Sequence, residues 1–496
     1  MAEIHSRQEV KQPKMDIEQP TQLADIYKLA SVNNGDCQEI QLDPELERKT
    51  LRRFDMFLLP QIALIIIIGY LDRSNIGNAA IFGLPTDLDL KGKEFNNLVT
   101  LFYVTYIVFD IPWVVAIKRF GVNRVLGVAL IGWSAATLGM GFVQNYHQAL
   151  ACRLLLGLFE GGLLPCMIFI ISTIWNKKQQ AKRVAVIYCA TTVSGAFGGL
   201  FAYGVQSMGT RASLEPWRWL FIIEGIISFV VGGTCWLTMP YSAEKVWFLS
   251  QEQRDFMVQK KTRDALYKGG DDLSFKHVLS AVTDPLVYLA AFSLFSSSLP
   301  LLSFGTFLPT IIRGLGYTSI QANYLTIPVY AFATGTVALM AWLSDRLHKR
   351  AFCLVMVPVP VLVGYAIVLG TPNIGAGYFA MFLCGGGIYP YNCLMLTWIT
   401  SNLAPDYKRS IGIPLAASIA NISGVLSGQI YPATDAPRYI SGNAVSLGLE
   451  FVALCGVVIT YCLLKWRNAR KEQLLASGVE SNGKEGDASL EFRYVL

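Results

Sequence analysis

Between Phe54 and Trp466, apolar stretches of about 20 residues recur along the chain, each long enough to cross a bilayer as a helix. About twelve can be counted, centred near Ile67, Tyr106, Ile131, Leu164, Gly195, Ile227, Leu299, Thr334, Leu362, Leu383, Ile419 and Val457. The longest polar interruption, Tyr241 to Pro285, splits them into two sets of six. The predicted fold is therefore all-α and integral to the membrane, with twelve transmembrane helices in two six-helix pseudo-repeat halves around a central cavity. The expected boundaries are a cytosolic N-terminal tail over 1–53, a first half over 54–240 and a cytosolic central loop over 241–285. A second half over 286–466 and a cytosolic C-terminal tail over 467–496 complete the chain. Ser250 to Leu266 reads as a surface helix within the loop. Both tails have too little apolar content to fold alone and read as disordered.

Loop charge orients this array. Lys118, Arg119 and Arg124 follow the second span, and Lys177, Lys178, Lys182 and Arg183 follow the fourth. Arg346, Lys349 and Arg350 follow the eighth, and Lys408 and Arg409 the tenth, whereas 144–147 and 371–377 carry no Lys or Arg. The positive-inside rule places both termini and the basic loops in the cytosol, with the cell membrane as the expected location. The segment before the first span is polar and lacks the pattern of a signal peptide. Weak repetition supports the halving, since Lys118-Arg119-Phe120-Gly121 matches Asp345-Arg346-Leu347-His348.

Composition adds exclusions. Of 496 residues, 53% are hydrophobic and 15% charged, against about 25% charged in soluble domains, which excludes a large globular enzyme. The net charge of +6 does not indicate nucleic acid, because the basic residues collect in particular loops. Ten cysteines show no paired spacing and read as free thiols. No phosphate-binding loop, nucleophile elbow or metal-ligand cluster occurs, so neither an enzyme nor a cofactor or metal site is expected.

The candidate chemistry lies in four charged residues inside apolar runs. Asp72 and Arg73 interrupt Phe57 to Phe82, and Arg153 and Glu160 lie within Leu150 to Trp175. Each charge at mid-bilayer costs roughly 2.5–3.5 kcal/mol, so four unpaired ones would cost on the order of 10 kcal/mol. They must pair or line an aqueous cavity. Arginine stays protonated and a carboxylate can titrate, a combination suited to binding an anion and handling a proton. Arg153 and Glu160 are two helical turns apart, about 10 Å along one face, and Asp72 and Arg73 are about 100° apart, so both could reach a broad cavity. Arg73 and Arg153 are the expected substrate-binding residues, with Tyr70 and Asn421 beside them. Asp72 and Glu160 are the expected proton-coupling pair. The competing view is that these charges only lock spans 1 and 4 together. Asp110 reads as part of a cytosolic gate, and Glu224 and Glu450 as capping or pairing near the outer ends of spans 6 and 12. Phe304, Phe307, Tyr389, Asn392 and Trp398 are candidates for selectivity, and Pro112, Pro165, Pro328 and Pro390 for kinks.

Three segments carry a resemblance: Tyr70-Leu71-Asp72-Arg73-Ser74-Asn75-Ile76-Gly77-Asn78-Ala79, Arg153-Leu154-Leu155-Leu156-Gly157-Leu158-Phe159-Glu160-Gly161, and Trp217-Arg218-Trp219-Leu220-Phe221-Ile222-Ile223-Glu224-Gly225. In this order the chain resembles the major facilitator superfamily, and more narrowly its anion:cation symporter family, in the fungal branch of allantoate, nicotinate and vitamin permeases. Asp435-Ala436-Pro437-Arg438-Tyr439 is similar to a further element of that branch. The loop after span 2 departs from the superfamily pattern, with Lys118 in place of an Asp that only Asp345 keeps. Span 5 lacks the Gly-Pro signature of drug exporters. The resemblance implies proton-coupled symport of a small organic anion into the cytosol by a monomer, using protons and a lipid bilayer as partners. Efflux of a secreted metabolite is the alternative, and a non-transporting nutrient sensor a more distant one.

Overall fold

The computed structural model describes residues 43–175, 177–239, 246–267, 275–347, 349–478, 482–483 and 486–496. The N-terminal tail up to residue 42, with its expected disorder, lies outside the described residues, as do 240–245 and 268–274 at the central loop. Among the described residues the helices make up twelve spans. The first half holds Pro44–Ile81 (span 1), Glu94–Phe120 (span 2), Val122–Met140 (span 3), Tyr146–Glu160 with Leu163–Ile174 (span 4), Lys177–Ser207 (span 5) and Pro216–Thr238 (span 6). The second half holds Pro285–Gly314 (span 7), Ser319–Leu347 (span 8), Arg350–Met356 with Pro358–Gly370 (span 9), Ile374–Asn402 (span 10), Asp406–Ser427 (span 11) and Ile440–Ala476 (span 12). Helix Gln251–Tyr267 realises the expected surface helix of the central loop.

Capping fixes several of these starts. Asp43, Asn145, Asp284 and Asn373 each accept a hydrogen bond from a backbone N–H of the first turn, and Pro44, Pro216 and Pro285 open helices where no N–H is needed. Helices run unbroken through Pro112, Pro328 and Pro390, while span 4 breaks at Gly161-Gly162 and span 9 at Val357.

The helix pairing is two-fold. Spans 1 and 5, 2 and 4, 3 and 6, 3 and 4, and 1 and 6 pack in the first half. Adding six to each number gives the pairs of the second half. Across the halves, span 2 meets 11, span 5 meets 8, and span 1 meets 7, which the same operation maps onto one another. Such a relation about an axis along the membrane normal is the geometry expected of parallel repeats.

The face opposite the termini is sealed. Asn96 Nδ2 donates to the Gly428 and Tyr431 carbonyls at 2.5 and 3.2 Å, and Thr100 Oγ1 to the Val425 carbonyl at 3.1 Å. There, spans 1 and 7 touch at Gly77, where a Cβ would stand 1.8 Å from the Thr306 carbonyl oxygen. Only glycine permits that approach.

At the terminal face, the two halves carry separate caps. Lys260 of the surface helix donates to the Ile174 carbonyl at 2.9 Å, in the first half. On the second half, residues 486–496 fold back, which overturns the expectation of a disordered C-terminal tail. Lys408 Nζ bridges Asp284 at 2.5 Å and Asp487 at 2.6 Å, and Arg467 also reaches Asp284 at 3.0 Å. Asn402 clamps Val495, accepting from its N–H at 2.8 Å and donating to its carbonyl at 3.1 Å. Long-range ion pairs supply the order that a polar composition does not suggest. The last helix also extends to Ala476, ten residues beyond the expected end of its apolar stretch at Trp466.

Burial pushes the Asp284 carboxyl up, but Lys408, the Leu286 N–H and Arg467 together outweigh that and leave it below its ordinary value of 3.8. Asp487 is left above its ordinary value, because burial outweighs its bond to the same ammonium. A lowered folded value stabilises above the unfolded one, so the Asp284 contribution is complete at neutral pH and is lost as pH falls through the folded value. Asp284→Ala should cost about 3 kcal/mol, since it strips one partner from a buried ion pair. The expected result is a lower unfolding temperature and faster proteolysis after span 12. Unchanged protease resistance would show that the tail does not depend on this cluster.

Candidate functional site

Two cavities flank span 1, and its consecutive residues divide between them. The larger, about 400 Å³, lies between the halves. Span 1 contributes Tyr70, Arg73 and Ser74, span 2 Tyr103, span 5 Thr191, span 8 Tyr330 and span 10 Tyr389, and span 7 forms the remaining wall. Arg73 is the one charged side chain among the described residues that line it. Its guanidinium stacks 4.6 Å from the ring centres of both Tyr70 and Tyr106, and Phe102 lies 5.8 Å away. Behind it, Arg73 Nε donates to Glu160 Oε1 of span 4. Glu160 is wholly buried and its Oε2 has no hydrogen-bond partner. The aromatic shell suits a cation held in a place with little water.

The smaller cavity, about 200 Å³, is enclosed within the first half. Asp72, Thr137, Cys152, Arg153 and Phe221 are among its lining. Asp72 accepts from Trp133 Nε1 of span 3 and from Ser228 Oγ of span 6, the latter at 3.5 Å. Arg153 lies 5.6 Å from the Phe221 ring, and its Nε and Nη2 have no hydrogen-bond partner. Glu224 of span 6 is within hydrogen-bond reach of Asp72, and neither of its carboxyl oxygens has a donor.

The six expected site residues therefore separate. Tyr70 and Arg73 line the cavity between the halves, with Glu160 directly behind. Asp72 and Arg153 line the other cavity, so the expectation that Asp72 and Arg73 share one broad cavity is corrected. The 100° between neighbours on a helix turns them to opposite sides of span 1. Asn421, half-buried on span 11, is not among the residues lining either cavity. Of the selectivity candidates, Tyr389 lines the cavity between the halves. Phe307 stacks on Tyr431, Asn392 bonds Ser297 and Ser298, and Trp398 donates to the Val495 carbonyl.

Glu224 and Glu450 are also corrected. Both are essentially fully buried within the helix bundle, and Glu450 accepts from Ser297 Oγ at 2.9 Å. Glu224 lies eight residues beyond Pro216, two turns inside its helix, and that depth was the available signal. Nothing in the chain's local pattern singles out Tyr330, which enters the wall only through the packing of span 8 on span 5.

Comparison with known proteins bears on the whole chain. The sequence pattern of the Major Facilitator Superfamily matches residues 62–428. An uncharacterized transporter of Schizosaccharomyces pombe is 37% identical over 465 residues, covering 94% of this chain and 93% of that protein. The high-affinity nicotinic acid transporter of Saccharomyces cerevisiae is 30% identical over 456 residues, covering 91% and 85%. Among solved structures, a bacterial homolog of the human lysosomal transporter Spinster, inward-facing and unoccupied, aligns with TM-score 0.64 at 16% identity, over 82% of this chain and 96% of that one. A D-xylose-proton symporter aligns with TM-score 0.61 at 14% identity, over 82% and 97%. At these identities the likeness is one of fold.

Proposed function

The chain belongs to the Major Facilitator Superfamily and is a multi-pass membrane transporter, not an enzyme, and from that premise we propose that it imports a small organic anion together with a proton. Arg73 carries this reading. It is a cationic fork on the wall of the cavity between the halves, and among the described residues its ion-pair partner is Glu160, an acid on the same half. An incoming carboxylate takes the place of Glu160 on the guanidinium, whose fork matches a carboxylate. The displaced Glu160, fully buried, takes up one proton. One negative charge and one positive charge enter together, and the buried site keeps its net charge.

With spans 1 and 7 and spans 2 and 11 in contact at the far face, the cavity's way out in this conformation is towards the terminal face. Rocking about the contacts of spans 1 and 7, 2 and 11, and 5 and 8 exchanges the two openings. The start of span 1 and the end of span 12 lie at one face with the ends of spans 2, 4, 8 and 10 that carry the basic loops, in keeping with a cytosolic orientation of that face at the cell membrane. One chain encloses the cavity by itself, so a monomer is sufficient.

The aromatic wall of Tyr70, Tyr103, Tyr330 and Tyr389 favours a compact, partly apolar anion over a highly charged one. A nicotinic acid transporter among the relatives makes nicotinate the first probe. The test is uptake of a radiolabelled panel of organic acids by cells expressing this chain, at acidic and at neutral external pH. Accumulation of one acid, greater at acidic pH and abolished by a protonophore, is the expected result. Faster loss of preloaded compound from expressing cells would replace import with export.

A further inference from the structure

The buried charge of the first half does not balance. Asp72, Glu160 and Glu224 are 1% exposed or less, and they lie with only Arg73 and Arg153 as intramembrane cations of that half. Three carboxylates against two guanidinium groups leave one net negative charge. In a medium of low dielectric constant such an excess is relieved by taking up a proton. Geometry says where. Asp72 and Glu224 stand within hydrogen-bond reach of each other, and an ionised carboxylate can only accept. Neither Glu224 oxygen has a donor among the described residues, and neither has Asp72 Oδ1. Trp133 and Ser228 satisfy only Asp72 Oδ2.

We infer that Asp72 and Glu224 share one proton in the resting transporter, held by the charge balance of the cluster. The groups facing Glu224 are Asp72 from span 1 and Arg153 and Glu160 from span 4. Span 3 supplies Trp133 and Thr137 and no charged residue beyond Arg124, and span 5 none beyond Arg183. Glu160 is committed to Arg73, which leaves Arg153 facing two acids and one proton. Glu224 is thus a positioning residue: it makes the proton necessary, while Arg73 and Glu160 meet the substrate on the other side of span 1. If the proton is lost, the cluster carries an uncompensated negative charge that opposes a second anion at Arg73. This last consequence rests on the proposed function; the shared proton does not.

The test is infrared spectroscopy of the purified full chain at neutral pH without substrate, reading the carbonyl stretch of protonated acids and its shift in D₂O. The charge balance predicts that Glu224→Gln and Asp72→Asn each remove one acid signal, because either change leaves two carboxylates for two arginines. Arg153→Gln is expected to add one acid signal, since three carboxylates then face one arginine. Glu450→Gln identifies any signal from the lone acid of span 12, so that it is not counted with the pair. An unchanged signal in Glu224→Gln overturns the proposal. So does a Glu224 signal that survives Asp72→Asn, which would make Glu224 neutral by burial alone. Should one variant not fold, the other still decides. An uptake panel that fails while this pattern holds removes the substrate reading only.

Discussion

Arg73→Ala is expected to abolish accumulation of the transported anion while the protein still reaches the membrane. The substitution removes the cation at the cavity wall and strands Glu160 without its partner. Breaking a buried ion pair from one side costs about 3–5 kcal/mol. At 1.4 kcal/mol per tenfold, binding should weaken by at least about a hundredfold. Arg73→Lys keeps the charge but loses both the fork and the stacking on Tyr70 and Tyr106, so it should fall between the two. Arg153→Ala is the informative comparison. Arg153 does not line the cavity between the halves, and its loss should alter pH dependence more than substrate affinity. Initial uptake rates across substrate concentration, normalised to surface protein, would measure all three. Near-normal uptake in Arg73→Ala with none in Arg153→Ala would move the substrate to the enclosed cavity.

The second large effect concerns the seal. A methyl group on residue 77 would stand 1.8 Å from the Thr306 carbonyl oxygen, a backbone atom that cannot swing aside. Gly77→Ala should therefore push spans 1 and 7 apart at the far face and favour the state open to that side. Overpacking of this kind costs about 1–3 kcal/mol, or roughly 5- to 100-fold in the ratio of closed to open. A cysteine introduced at Asn97 would report it through its rate of labelling by a membrane-impermeant thiol reagent. The rate should rise at least about fivefold in the Gly77→Ala background. No change would mean that the helices separate there without cost, and that the contact does not hold the far face closed.

How much was legible in the sequence follows from what each feature depends on. The spans were visible because a bilayer demands about 20 consecutive apolar residues, a purely local property. Arg73 was visible for the same reason in reverse, as a charge where charge is costly. The direction in which Asp72 points was not, because adjacent residues differ by 100° and only the packing of spans 3 and 6 on span 1 decides which of them meets the other half. Glu224 was placed too near a helix end, because depth was judged from the edge of the apolar run and not counted from Pro216. The ordered tail was missed for another reason. In residues 486–496 only isolated side chains such as Leu490 and Tyr494 are buried, and the partners that hold the segment, Lys408, Asn402 and Trp398, are far away in sequence.

The far-face seal also bears on how such a protein can change its cargo. Asn96 and Thr100 bond to main-chain carbonyls of Gly428, Tyr431 and Val425, and Gly77 rests against the main chain at Thr306. A peptide carbonyl is offered by every residue type, so Val425 and Tyr431 can change without removing an acceptor, whereas a Cβ at Gly428 would stand 2.8 Å from Thr100 Oγ1. The residues free to vary with a new cargo, Tyr330 and Tyr389 among them, stand on spans 8 and 10, away from those bonds. Thr306 joins gate and selectivity, because it lines the cavity beside Tyr330 and Tyr389 and also meets Gly77, so a change of cargo read by that wall is felt at the gate.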